Sequence, residues 1–191
     1  MRPFSVGQIW SVAALYILVE PTIYATYAVN REENTFAVPL WLNRPIIQAL
    51  GRDMTRIRSY EPGGADQKVK VRPSLSIIQT DKYSALNFQS LVRFGTIEMR
   101  QPYCTNDFDA IRSWCDFVIR LQQQGCNYRD PIGVLDHYSN VGLAKVQEDL
   151  FGGAYEIHPD IQEQAEDAAA LMVGRMIPHW ETLNWNVLGE Q

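Results

Sequence analysis

Gly95-Thr96-Ile97-Glu98-Met99-Arg100 is the run of this chain in which residue types and spacing most resemble a place for chemistry. On a strand, successive side chains alternate between faces, so Thr96, Glu98 and Arg100 share one face while Ile97 and Met99 share the other. Just upstream, Asn87 and Gln89 alternate with Leu86 and Phe88, and the link Val92-Arg93-Phe94-Gly95 suits a return strand. The spacing predicts a central hairpin over about 83–101 with one apolar and one polar face. Asn87, Gln89, Thr96, Glu98 and Arg100 then form a hydrogen-bonding surface with one carboxylate able to ligate a metal. By spacing alone, Glu98 and Arg100 equally describe a salt-bridged pair on a solvated sheet face.

The elements that must carry this face follow from the flanking patterns. Thr105, Asn106 or Asp107 can cap a helix running to about Gln124, with Phe108, Ile111, Cys115, Val118 and Leu121 on one stripe and Gly125 as its stop. This stripe is expected beneath Ile97 and Met99. At the N-terminus, Ser5 and Gln8 have capping-box spacing before Ile9 to Val19, an apolar run shorter than the roughly 20 residues a bilayer span needs. It reads as a buried helix that Pro21 kinks or restarts. Residues 30–44 read as a loop and 45–58 as a short amphipathic helix. Glu61 to Asp66 is a Pro-Gly-rich loop, and Lys68 to Val71 an edge strand. Beyond 125 the pattern gives a turn-rich start, a helix from about Leu143 to Phe151, and a last helix from Pro159 to about Ile177. The tail carries Trp180 and Trp185, which are costly to leave in water and are expected to dock.

Tyr83, Ala85-Leu86-Asn87, the run from Gly95 to Arg100, a helix start near Asp107 and Trp114 resemble the second half of the amidoligase family. That family belongs with glutamine synthetase and the glutamate-cysteine ligases. Upstream, Glu20-Pro21 and the run Arg31, Asn34, Phe36, Pro39-Leu40 are similar to the helix and arginine-bearing loop that precede this hairpin in the family, so the likeness covers roughly residues 10–125. Two departures stand out. Met99 takes a position usually held by Phe, and the family's opening Gly-x-Glu-x-Glu strand and its histidine-bearing strand are not found in this sequence.

The resemblance implies an α+β fold: a small antiparallel sheet packed against helices, as in the second half of a glutamine synthetase-like catalytic fold. It divides the chain into an amidoligase-like partial domain, 1–125, and a helical C-terminal extension, 126–191. It implies joining of a carboxylate to an amine, on a small-molecule or peptide substrate, with ATP and magnesium as cofactors. Glu98 would be the metal ligand and Arg100 the clamp on phosphate or acyl phosphate, both catalytic; Arg31, Asn87 and Gln89 would bind cofactor. With half of the metal site missing, another protein chain is the expected partner. The alternative is a noncatalytic amidoligase-derived binding or structural subunit, for instance of a phage particle.

With 191 residues, 46% hydrophobic and 20% charged, the chain has the composition of an ordinary globular protein. A net charge of −5 argues against a nucleic-acid partner, since phosphate neutralisation needs a basic surface. Cys104, Cys115 and Cys126 form an odd set without Cys-x-x-Cys spacing, which suggests a reducing compartment: the cytoplasm, or a virion if phage-encoded. No membrane partner is expected. His137, His158 and His179 lie far apart and show no metal-ligand spacing.

Overall fold

The computed structural model describes residues 5–28, 36–40, 47–48, 51–52, 83–152 and 158–176. Arg31, the Glu61 to Asp66 loop, Lys68 to Val71, His179, Trp180 and Trp185 lie outside them. Among the described residues the fold is mostly helical with one small antiparallel sheet, in the α+β class. The elements in order are α1 (Val6–Tyr27), β1 (Leu86–Asn87), α2 (Gln89–Phe94), β2 (Glu98–Met99), α3 (Phe108–Asn127), α4 (Pro131–Phe151) and α5 (Pro159–Met176).

α1 is the axis of the molecule, with α3, α4 and α5 all packed on it. Its start is the expected capping box: Ser5 Oγ accepts from the Gln8 N–H and Gln8 Oε1 accepts from the Ser5 N–H. Ala13 to Val19 are all buried, and a helix that is apolar all round belongs in a core. Pro21 neither ends nor divides it, so the helix runs on to Tyr27 and is longer than the apolar run alone suggests. By length and composition it could cross a membrane, yet most of it is covered by the other helices.

α3 begins where expected, with Asp107 Oδ1 accepting from the backbone of Asp109 and Ala110. Its buried face is turned from the expected stripe, of which only Leu121 and, half-buried, Val118 face the core. Phe117, Leu121 and Gly125 are buried and Trp114 is half-buried, whereas Phe108, Ile111 and Cys115 are exposed. The sequence carries two apolar stripes on this helix, and the more aromatic one is turned inward. Trp114 and Phe117 join Tyr27 and Phe151 in a ring cluster, with Phe117 and Phe151 stacked at 4.8 Å and Tyr27 edge-on to Trp114 at 5.1 Å. At the other end Gly125 does not stop the helix. It lets α3 approach α1 so closely that a Cβ there would overlap Val12. α3 therefore packs along α1 and α4, not across the sheet, and Ile97 and Met99 lie half-buried against the common core.

α4 starts earlier than Leu143, because Asp130 caps it and Pro131 occupies its first turn. Gly142, at φ 79°, breaks it into two pieces. The pieces fold toward one another, bringing His137 Nε2 within 3.7 Å of Asp149 Oδ2; in an unbroken helix these residues would stand about 18 Å apart. α5 turns Ala165, Ala169, Met172, Val173 and Met176 into the core that α1, α3 and α4 share.

The sheet is smaller than a hairpin over 83–101. β1 and β2 pair antiparallel in the register Leu86 to Met99 and Asn87 to Glu98, but α2 joins them. Asn87 is the reason. Its Oδ1 accepts from the Gln89 N–H and its carbonyl accepts from Ser90 Oγ, which turns the chain into a helix. Gly95 closes that helix in the left-handed conformation, φ 69°. Gln89 is thus the first residue of α2 and does not extend Asn87's strand. Val38 adds one parallel bridge to Ser84 on the other side of β1.

Candidate functional site

The path to the site begins in the core. Glu20, the single charge in the apolar run of α1, is fully buried, and its Oε1 accepts from the Leu40 N–H at 2.9 Å. One turn further, the Tyr24 hydroxyl donates to the Ala37 carbonyl. The two contacts fasten residues 37–40 to α1, joining Glu20-Pro21 to Pro39-Leu40. A buried carboxylate must be matched by donors, so this contact fixes the segment's position. The Tyr16 hydroxyl, fully buried, makes no well-formed hydrogen bond of its own; its burial, and then the charge of Glu20, holds its pKa well above the usual phenol range.

From there the order passes through the backbone. Val38 donates to the Tyr83 carbonyl at 2.9 Å and accepts from Ala85 at 2.8 Å; the Ala85 carbonyl in turn accepts from the Arg100 N–H at 2.9 Å. Arg100 is thereby set beside Glu98. Arg100 Nε donates to Glu98 Oε1 at 2.9 Å and Nη2 donates to Oε2 at 2.8 Å, a two-pronged pair of the geometry guanidinium and carboxylate favour. Asn87 Nδ2 completes the group with a bond to Glu98 Oε2 at 2.8 Å. Asn87 is buried, while the Glu98 and Arg100 side chains keep 47% and 24% of their surface in solvent. The Arg100 hydrogen bonds first, then that of Asn87, hold the Glu98 carboxyl below its ordinary pKa.

Of the expected site residues, then, Asn87, Glu98 and Arg100 come together on one face. Gln89 enters through its backbone N–H on Asn87 Oδ1. Arg31 lies outside the described residues. Magnesium needs several oxygen ligands in octahedral array. Both Glu98 oxygens already accept hydrogen bonds, and the described residues contain no cluster of three His, Cys, Asp or Glu side chains that could hold a metal. These residues do not by themselves fit a magnesium ion. They do present a guanidinium suited to an anionic oxygen.

Two features escape sequence reading. For Glu20, a lone acid in an apolar helical run is the available signal for its clamping role. Gln101, next to Arg100, is fully buried with neither amide atom hydrogen-bonded, and nothing in its local sequence marks it. A separate groove of about 530 Å³ opens between the end of α1 and the start of α3, lined in part by Tyr27, Tyr103, Trp114 and Asp109. Asn87, Glu98 and Arg100 do not line it.

Compared with known proteins, the chain matches no protein-family model, no curated protein and no solved structure.

Proposed function

We propose that the protein is amidoligase-like and contributes Asn87, Glu98 and Arg100 to a site for ATP-dependent joining of a carboxylate to an amine, a site that this chain alone leaves incomplete. One observation carries the reading: three of the residues the family resemblance singles out, Asn87, Glu98 and Arg100, converge on a partly exposed face, with bidentate geometry between Glu98 and Arg100. In this arrangement Arg100 is the anion-binding group. Glu98 is its positioning residue, aiming the guanidinium, and Asn87 holds Glu98. An incoming phosphoryl or carboxylate oxygen would compete with Glu98 for the same donors, a substitution of one anion for another that leaves no buried charge unpaired.

The second reading is a noncatalytic amidoligase-derived binding or structural subunit, in a phage particle for example. It is favoured by the saturation of both Glu98 oxygens within the chain. Titration calorimetry with a nonhydrolysable ATP analogue separates the two. The first reading expects weak binding that Arg100→Ala removes while leaving the thermal transition in place. Absence of any Arg100-dependent binding favours the second. Tight binding by the single chain would contradict incompleteness.

A further inference from the structure

The groove between the end of α1 and the start of α3 combines aromatic rings with charge of a single sign. It encloses about 530 Å³, within the range of small-molecule sites. Tyr27 and Trp114, edge-on to each other at 5.1 Å, form its inner side, and Tyr103, 45% exposed, its outer side. The Tyr103 N–H donates to the Tyr27 carbonyl at 3.2 Å and the Tyr27 hydroxyl is bonded to Ser113 Oγ at 2.8 Å, so the two sides are tied together. Asp107 and Asp109 supply the charge, and no Lys, Arg or His is among the described residues that line the groove. Asp107 commits one oxygen to the helix cap. Its other oxygen and the whole Asp109 carboxylate have no hydrogen bond or ion pair among the described residues.

We propose that this groove binds a protonated organic amine, with its ammonium group at Asp107 and Asp109 and its carbon body against Tyr27, Tyr103 and Trp114. Aromatic rings attract cations through their quadrupole, and carboxylates accept from ammonium N–H groups. The other classes of small ligand fit worse. An anion would meet two carboxylates with no cation beside them, and the positive charge of about one-half at the start of a helix is outweighed by the two full charges placed on it. A purely apolar ligand would take water from those carboxylates and return nothing. Both carboxylates are exposed, so each contact is modest and the affinity for a small amine lies in the millimolar range. Asn87, Glu98 and Arg100 do not line the groove, and the proposal stands independently of the ligase reading.

Three probes of similar shape test the charge: 2-phenylethylamine, 2-phenylethanol and 3-phenylpropionate, each titrated into the full chain and read by NMR at the Trp114 indole N–H. The amine is expected to bind saturably, the alcohol about tenfold more weakly, and the carboxylate not at all. Asp109→Asn keeps the size of the side chain; it is expected to weaken the amine several-fold while the alcohol's binding and the helical circular dichroism stay unchanged. Tyr103→Ala is expected to weaken amine and alcohol alike. Thiol protection tests the place. A chain carrying Cys115→Ser and Cys126→Ser keeps Cys104, which lines the groove, and the amine is expected to slow its alkylation by iodoacetamide. Cys115, kept alone in a second chain, is expected to react at an unchanged rate. A Trp114 resonance unmoved at tens of millimolar amine overturns the proposal. So does an alcohol or carboxylate that binds as tightly as the amine, an Asp109→Asn chain that binds the amine as the wild type does, or an amine that protects Cys115 as well as Cys104.

Discussion

The sheet side of the molecule and the outer face of α3 solve the surface problem in opposite ways. Around Glu98 every charge is answered within the chain: Arg100 and Asn87 meet the carboxylate, and Glu20 meets the Leu40 N–H that anchors the neighbouring segment. On the outer face of α3, Phe108, Ile111 and Ile119 are exposed, and Arg112 and Asp116 make no ion pair among the described residues. The difference shows where stability ends and recognition begins. Satisfied polar groups build a scaffold, and their loss is felt in folding; unsatisfied ones cost the fold little and are free to meet something else.

The largest expected effect lies within α3 itself. Phe117→Ala empties a fully buried position in the ring cluster and is expected to cost about 3–5 kcal/mol in chemical denaturation, whereas Phe108→Ala on the opposite stripe should stay within about 0.5 kcal/mol. Equal costs would break the distinction between the two faces. On the other side, Glu20→Ala strips the buried Leu40 N–H of a charged acceptor and is expected to cost about 1.5–3 kcal/mol; Glu20→Gln, which keeps an acceptor, should cost less. Both are read from urea midpoints at constant slope.

Gln101 is the exception on the satisfied side, and it sharpens the comparison. Replacing an unpaired buried amide by an apolar group of similar shape should stabilise, so Gln101→Met is expected to raise stability by about 1 kcal/mol. A loss instead would mean that the amide has a partner in solution.

Glu98→Gln is expected to cost below about 1 kcal/mol, because the pair is partly solvated and screened. The sign with pH is set by the lowered Glu98 pKa. The pair's contribution is present above the ordinary glutamate value and is lost as pH falls through the lower folded value. The stability difference between wild type and Glu98→Gln should therefore shrink on acidification and stay flat from there to neutrality. A difference that grows in acid contradicts the assignment.

Much of this was legible in residues. Ser5 with Gln8, Asp107 and Pro159 announced helix starts because capping chemistry is local. The shared face of Glu98 and Arg100 followed from strand alternation alone. What was not legible depended on competition between equally good local patterns. α3 bears two apolar stripes, and only the fit of Gly125 to Val12 and of Phe117 to Phe151 decides between them. The strand pattern through Leu86 to Gln89 yields to an Asn87 turn, since one side-chain bond to the Gln89 N–H outweighs a strand propensity that is weak over four residues. Glu20's role needed a partner twenty positions away, which no window on the sequence contains.

Arginine side-chain NMR tests the central claim most directly, because the Arg100 Nε–H is bonded to Glu98 in the resting chain and would pass to a bound anion. With a nonhydrolysable ATP analogue, the account predicts a saturable shift of the Arg100 Nε–H resonance, together with the Asn87 side-chain amide, that magnesium alone does not produce. An Arg100 resonance unmoved at millimolar nucleotide would contradict it, and would leave the Glu98–Arg100 pair as a structural ion pair of the sheet.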